Sequence, residues 1–134
     1  MAPPLRHILC IDDEEDILQI TKMSLETLGG FRVSVCHGSG DALAEVKRLR
    51  PDVVLLDVMM PGQDGPSTLK LLQEDPDVAK IPVIFLTAKA QPSELANLIR
   101  LGAKGVISKP FNPMLLSRQI LELWKEWHEF KRDQ

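Results

Sequence analysis

Two cysteines and three histidines are all the thiol and imidazole that this chain of 134 residues offers, and neither set is arranged for metal work. Cys10 and Cys36 each stand inside an apolar run with no second pair at metal spacing, which reads as two small buried apolar residues rather than ligands or a bridge. His7, His37 and His128 form no HxxH or HxxxH pair, so imidazole-based metal chemistry is not expected. The phosphate loop GxxxxGK[ST] is absent. One glycine cluster invites a dinucleotide reading, His37-Gly38-Ser39-Gly40-Asp41-Ala42-Leu43, but Leu43 stands where GxGxxG requires its third glycine. Basic excess is lacking too: a net charge of -3 argues against a generic nucleic-acid surface. No apolar run approaches the ~18 residues of a membrane span, and Met1 to Arg6 holds no signal-peptide core. The expectation is a cytoplasmic protein that binds neither nucleic acid nor membrane directly. With 44% apolar and 26% charged residues, the composition suits one globular domain and leaves no room for a second.

The stretch that organises the rest is Val53-Val54-Leu55-Leu56-Asp57, followed by Val58-Met59-Met60-Pro61-Gly62. A β-branched apolar run between Pro51 and Pro61-Gly62 reads as a strand buried on both faces, as in a parallel sheet. In an open parallel sheet ligands collect outside the carboxyl ends of the strands, so Asp57 faces the functional crevice. By itself an Asp after a strand is equally a turn former or a helix N-cap.

The remainder of the chain repeats the pattern. His7 to Asp12 is a strand ending in Asp12-Asp13, with Glu14-Glu15-Asp16 opening helix 1. Ile17, Ile20, Ser24 and Leu28 give that helix one face, with Met23 and Leu25 beside it, and Gly29-Gly30 ends it. Strand 2 spans Phe31 to Cys36, and helix 2 carries the stripe Ala42, Leu43, Val46 and Leu49. Helix 3 runs from Pro66 to Glu74 with Leu69 and Leu72 facing in, and Pro76 ends it. Strand 4 is Ile81 to Thr87, Pro82 being tolerable at the strand start. Helix 4 spans Pro92 to Leu101, strand 5 is Gly105 to Ser108 before Lys109-Pro110-Phe111, and helix 5 starts near Pro113. Five strand-helix repeats with short connections specify a parallel α/β sheet with helices on both faces.

Asp12, Asp13, Asp57, Thr87 and Lys109 therefore stand at the carboxyl ends of strands 1, 3, 4 and 5, and converge if those strands are neighbours. Two carboxylates about 4 Å apart repel by on the order of 4 kcal/mol at an effective dielectric of 20. A hard divalent cation offsets this, and Mg²⁺ favours a few carboxylates, a carbonyl and waters. Asp13 and Asp57 are the expected direct ligands, Asp12 acts through water, and the Met59 backbone carbonyl completes the set. The metal and Lys109 would neutralise a phosphoryl group, so Asp57 could serve as a carboxylate nucleophile toward one.

Over about residues 6 to 127 the chain resembles the receiver domain of two-component response regulators. The motifs are Ile11-Asp12-Asp13-Glu14, Leu56-Asp57-Val58-Met59-Met60-Pro61 with Asp64-Gly65, Leu86-Thr87-Ala88, and Lys109-Pro110-Phe111. The resemblance implies a flavodoxin-like (βα)5 fold with strand order 2-1-3-4-5, filling residues 1–134 as a single domain with helix 5 extending to about 131. It implies that Asp57 accepts phosphate from a histidine kinase or histidine phosphotransfer protein, with Thr87 binding a phosphoryl oxygen and Lys109 pairing with the phosphate. The Lys109-Pro110 peptide looks like the family's cis bond. Such a domain is a signalling module that assists its own phosphorylation and dephosphorylation, not an enzyme with a separate substrate, and it acts on a downstream protein partner or output domain.

Two positions depart from the family pattern, of which only Val106, by removing the usual aromatic readout, bears on the output. Val106 stands where receivers often carry Tyr or Phe, and Gln63 where many have an apolar residue. The resemblance also implies that Met59 and Lys89, two residues beyond Thr87, flank the path of the water that removes the phosphate, and apolar Met59 there points to a long-lived phosphorylated state. Other classes fit less well: a haloacid-dehalogenase type hydrolase needs a second acid where Met59 stands, and a flavodoxin-like cofactor binder needs a Gly/Ser/Thr loop where Asp12 to Asp16 stand. On helix 5, Leu116, Ile120, Leu123, Trp127 and Phe130 form a stripe with Trp124 beside it. From 113 to 131 that helix spans ~28 Å, beyond the ~17 Å of strand 5. Either Trp124 packs on the core with Trp127 and Phe130 over the lower rim, or this end, with helix 4 and strand 5, forms a switched surface for a homodimer or partner.

Overall fold

The computed structural model describes residues 3–38, 41–60, 62, 64–88 and 91–132, with side chains as far as 129. Five strands, β1 (His7–Asp12), β2 (Arg32–His37), β3 (Val53–Asp57), β4 (Val83–Thr87) and β5 (Gly105–Ser108), alternate with α1 (Glu15–Gly29), α2 (Ala42–Leu49), α3 (Gly65–Glu74), α4 (Pro92–Arg100) and α5 (Leu116–Arg132). All pairings are parallel, in the order β2-β1-β3-β4-β5, as the resemblance implied. Gln63 and Lys89 lie outside the described residues.

Alternate side chains of the central strands feed two cores, which is why these strands read as continuous apolar runs. Ile8, Cys10, Leu55, Ile84 and Ile107 pack with Leu18 and Leu25 of α1 and Leu116, Ile120 and Trp124 of α5. Leu9, Ile11, Val54, Leu56 and Phe85 pack with α2, α3 and Leu98, the one buried residue of α4. Cys10 and Cys36 fall in opposite cores, so they are packing residues, and burial pushes the Cys10 thiol up, with the charge of Asp12 adding to it.

Helix α1 buries Ser24 and Leu25 as expected but is otherwise rotated from the expected face. Leu18, Thr21, Ser24 and Leu25 are buried, whereas Ile20, Met23 and Leu28 are exposed. The rotation is possible because both hydroxyls are satisfied inside: Thr21 Oγ1 donates to the Ile17 carbonyl at 2.6 Å and Ser24 Oγ to the Pro113 carbonyl, removing most of the cost of burying them. Smaller differences have local causes. β4 begins at Val83 because Pro82 has no N–H to pair, though its carbonyl accepts from Val54 N–H at 3.0 Å. α5 begins at Leu116 after a turn over 113–115. Trp124 packs on the core and donates Nε1–H to the Pro3 carbonyl at 2.7 Å, strapping residues 3–5 to α5.

Candidate functional site

Register sets the site. Ile11 pairs with Leu56, Asp57 with Leu86 and Thr87 with Ser108, so Asp12, Asp57, Thr87 and Lys109 leave the sheet at nearly one level. Three main-chain bonds carry that level past the strand ends: Gly38 N–H to the Asp12 carbonyl at 2.8 Å, Val58 N–H to Leu86 at 3.1 Å and Lys109 N–H to Thr87 at 2.7 Å.

Asp12 and Asp57 are both buried, as is Thr87. Lys109 Nζ lies 2.9 Å from Asp12 Oδ2 and 3.2 Å from Asp57 Oδ1. Each acid also serves its own loop: Asp12 Oδ1 accepts from Glu14 N–H at 3.0 Å, and Asp57 Oδ1 from Met59 N–H at 3.4 Å. The turn-former reading of a strand-end Asp is thus true here alongside the site reading.

Burial is the largest influence on the Asp57 carboxyl and the negative charge of Asp12 adds to it, so that, despite Lys109 and the Met59 N–H, its pKa is pushed up to about 6. For Lys109 burial works against the charge, but the hydrogen bonds and charges of Asp12 and Asp57 outweigh it and hold the ammonium above the usual lysine range. Among the described residues Lys109 is the one cation paired with Asp12 and Asp57, and it does not balance the acids around it.

Asp12, Asp13, Glu14 and Asp57 each offer a carboxylate oxygen, and these lie within 4.8 Å of one another. All-oxygen donors, two of them buried, with one carboxyl destabilised as an anion, fit a hard divalent cation and not a soft one. Asp13 is half-buried, between buried Asp12 and exposed Glu14. Charge patterning assigns Glu14 only the opening of a helix; its adjacency to Asp12-Asp13 is the signal for more, but its inward reach depends on the turn that Asp12 closes. His37 stays outside the cluster, exposed and 3.7 Å from Glu15. Met59 is 60% exposed beside the buried Asp57. The Lys109-Pro110 peptide is cis, as the resemblance implied. Val106 is half-buried against the core.

Beside the acids an apolar cleft of about 330 Å³ opens between α1 and the β5–α5 connection, lined by Ile17, Ile20, Phe111 and Pro113 with Glu14 and Lys109 at its edge. The α1 rotation that exposes Ile20 makes this lip. Among the described residues no helix is long and apolar enough to cross a membrane.

Comparison with known proteins agrees with the geometry. The family model described as response regulator receiver domain matches residues 8–121. The DNA-binding response regulator MtrA of Mycolicibacterium smegmatis is 33% identical over 115 residues, 86% of this chain and 49% of that protein; the chain thus spans about half the length of such relatives. Among solved structures, the chemotaxis response regulator CheY4 of Vibrio cholerae superposes with a TM-score of 0.82 at 28% identity, over 90% of this chain and 99% of that one. The signal receiver domain of a signal transduction histidine kinase from Syntrophus aciditrophicus does so with a TM-score of 0.77 at 28% identity, over 90% and 91%.

Proposed function

The chain belongs to the response regulator receiver domain family, and on that premise we propose that Asp57 is its phosphoacceptor, charged by a histidine kinase or histidine phosphotransfer protein in a Mg²⁺-dependent reaction. The observation that carries this is the buried carboxylate of Asp57, under-neutralised by Lys109 at 3.2 Å and open to a cluster of three further acids.

Among the described residues, the contacts of Asp57 with Lys109 and with the Met59 N–H both fall on Oδ1, which leaves Oδ2 as the attacking oxygen. It forms the O–P bond as the N–P bond of the donor breaks, and the electron pair of that bond returns to the imidazole. Mg²⁺, held by Asp13, Asp57 and the Met59 carbonyl with Asp12 acting through water, would supply positive charge to the phosphoryl oxygens. Lys109 moves its hydrogen bond from Asp57 Oδ1 to a phosphoryl oxygen, and Thr87, buried at the end of β4, donates its hydroxyl to another. The domain in this way assists its own phosphorylation and dephosphorylation.

The apolar lip of Ile17, Ile20, Phe111 and Pro113 seats the donor protein beside Asp57. The unit at work is the single domain of residues 1–134, acting in the cytoplasm on a protein partner or an output domain. Labelling with acetyl phosphate and Mg²⁺ should add one phosphate, and Asp57→Asn or chelation should abolish it. Undiminished labelling of the Asn variant would overturn the assignment.

A further inference from the structure

We infer that Gly65 is a positioning residue for the phosphoacceptor site: its missing side chain lets the start of α3 lie directly on the backbone of Asp57 and Val58 and so fixes the peptide that carries Met59. The inference rests on the reading of Asp57 and Mg²⁺ above.

A Cβ built at Gly65 would lie 2.6 Å from the Asp57 carbonyl oxygen, 2.9 Å from Val58 Cα and 2.8 Å from Phe85 Cε1. All three are below van der Waals contact, and two of the three atoms are backbone, which cannot rotate aside as a flexible side chain would. The φ of Gly65 is not among the positive values in this chain, so what demands glycine here is the close approach alone. That approach has a product. Gly65 N–H donates to the Val58 carbonyl at 2.8 Å, and Val58 N–H donates to the Leu86 carbonyl at 3.1 Å. Met59 N–H points to Asp57 Oδ1 at 3.4 Å. The peptide unit between Val58 and Met59 is therefore held at both ends, its oxygen by Gly65 and its N–H by the phosphoacceptor. Its orientation sets where the next carbonyl, that of Met59, can be offered to a cation.

On the far side of Gly65 the helix start is anchored separately. Asp64 Oδ1 accepts from Ser67 N–H at 2.9 Å and the Asp64 carbonyl from Thr68 Oγ1 at 3.0 Å, while Thr68 and Leu69 are buried. With α3 pinned to the core, a methyl at Gly65 has to be accommodated by displacing the loop that follows Asp57. Outer contacts that orient metal ligands typically change affinity by about 10- to 100-fold when removed.

The test is calorimetric Mg²⁺ binding and acetyl phosphate labelling at saturating Mg²⁺ on the parent, Gly65→Ala, Phe85→Leu and the double variant, with urea denaturation of each. Gly65→Ala should bind Mg²⁺ about tenfold or more weakly and label more slowly even when saturated, and Phe85→Leu alone should bind as the parent does. The double variant should stay weak, because relieving Phe85 leaves the backbone contact with Asp57. If the double variant recovers parental binding, Gly65 serves core packing only and the inference fails, as it does if Gly65→Ala binds like the parent. Should Gly65→Ala not fold, Asp64→Ala, which loosens the first turn of α3, against Asp64→Asn, which keeps the cap without the charge, decides: equal Mg²⁺ binding by these two overturns the inference. A parent that fails to bind Mg²⁺ overturns both this and the reading of the site, whereas a binding parent with an unaffected Gly65→Ala overturns this alone.

Discussion

Lys109 Nζ lies 2.9 Å from Asp12 Oδ2 although the two residues are 97 apart in the chain and β3 and β4 separate their strands. To reach Asp12 the lysine crosses the end of β3, and Asp57 Oδ1 meets the same ammonium at 3.2 Å. One cation is thus shared by two buried carboxylates, and this load governs how the site should respond to pH, substitution and metal.

Asp57→Asn should stabilise the metal-free protein at neutral pH. The folded-state pKa of Asp57 is raised from 3.8 to about 6, so between these values the folded protein holds a proton that the unfolded chain releases. Its contribution to stability is present below the unfolded pKa and is lost as pH rises through about 6. Asn removes the ionised burden, worth on the order of 3 kcal/mol well above pH 6 and less than about 1 kcal/mol near pH 4. Urea denaturation in chelator at the two pH values checks this; a gain that is the same at both contradicts the buried-charge account.

Lys109→Ala should leave Asp12 and Asp57 buried without the Lys109 ammonium and cost about 3–5 kcal/mol in chelator. Its Mg²⁺ affinity should hold or rise, since the ammonium no longer shares the carboxylates, while the response to phosphorylation is impaired. Asp13→Ala should do the reverse, losing about tenfold or more in Mg²⁺ affinity with little change in stability. Calorimetry that finds Asp13→Ala unaltered removes Asp13 from the ligand set.

Met59→Asn should shorten the life of the phosphorylated state. The thioether of Met59 is exposed beside Asp57 and offers an attacking water only a weak acceptor, whereas an amide both donates and accepts. Phosphate release after removal of the donor measures the lifetime, and equal decay of the two proteins would discard the role given to Met59.

Phosphorylation should act through α4 moving as a unit, because only Leu98 anchors it in the core and its C-terminal end is held by Gln73 Nε2 donating to the Leu101 carbonyl at 2.9 Å. Ile99 and Leu101 are exposed and Trp127 is half-buried nearby, with Lys104 Nζ 5.8 Å from its ring. A homodimer through α4, β5 and α5 should therefore appear with a phosphoryl mimic and weaken in Trp127→Ala; the side chain of Phe130 is outside the described residues. Sedimentation that finds only monomer, with and without the mimic, rules the dimer out.

The sequence by itself determined the alternation of strands and helices, the burial of β3 and β4 on both faces, and the placing of Asp12, Asp57, Thr87 and Lys109 at strand ends. These are local matters: apolar run length, proline and glycine punctuation, and the period of side-chain direction. The tertiary structure decided which residues share an atom's reach. That Lys109 joins Asp12 and Asp57, that Glu14 turns into the acid cluster, and that Pro3 receives the Trp124 N–H all depend on strand order and loop path, which no local pattern encodes. The rotation of α1 escapes the local pattern for a related reason. Apolar residues at 17, 18, 20, 23, 25 and 28 leave the helix apolar on several sides, and the buried side was settled by Thr21 and Ser24, whose hydroxyls could be sunk because backbone carbonyls of Ile17 and Pro113 receive them. A hydrogen bond to a residue 89 positions away is invisible to hydrophobic periodicity, and it turned Ile20 outward to line the cleft beside Asp57.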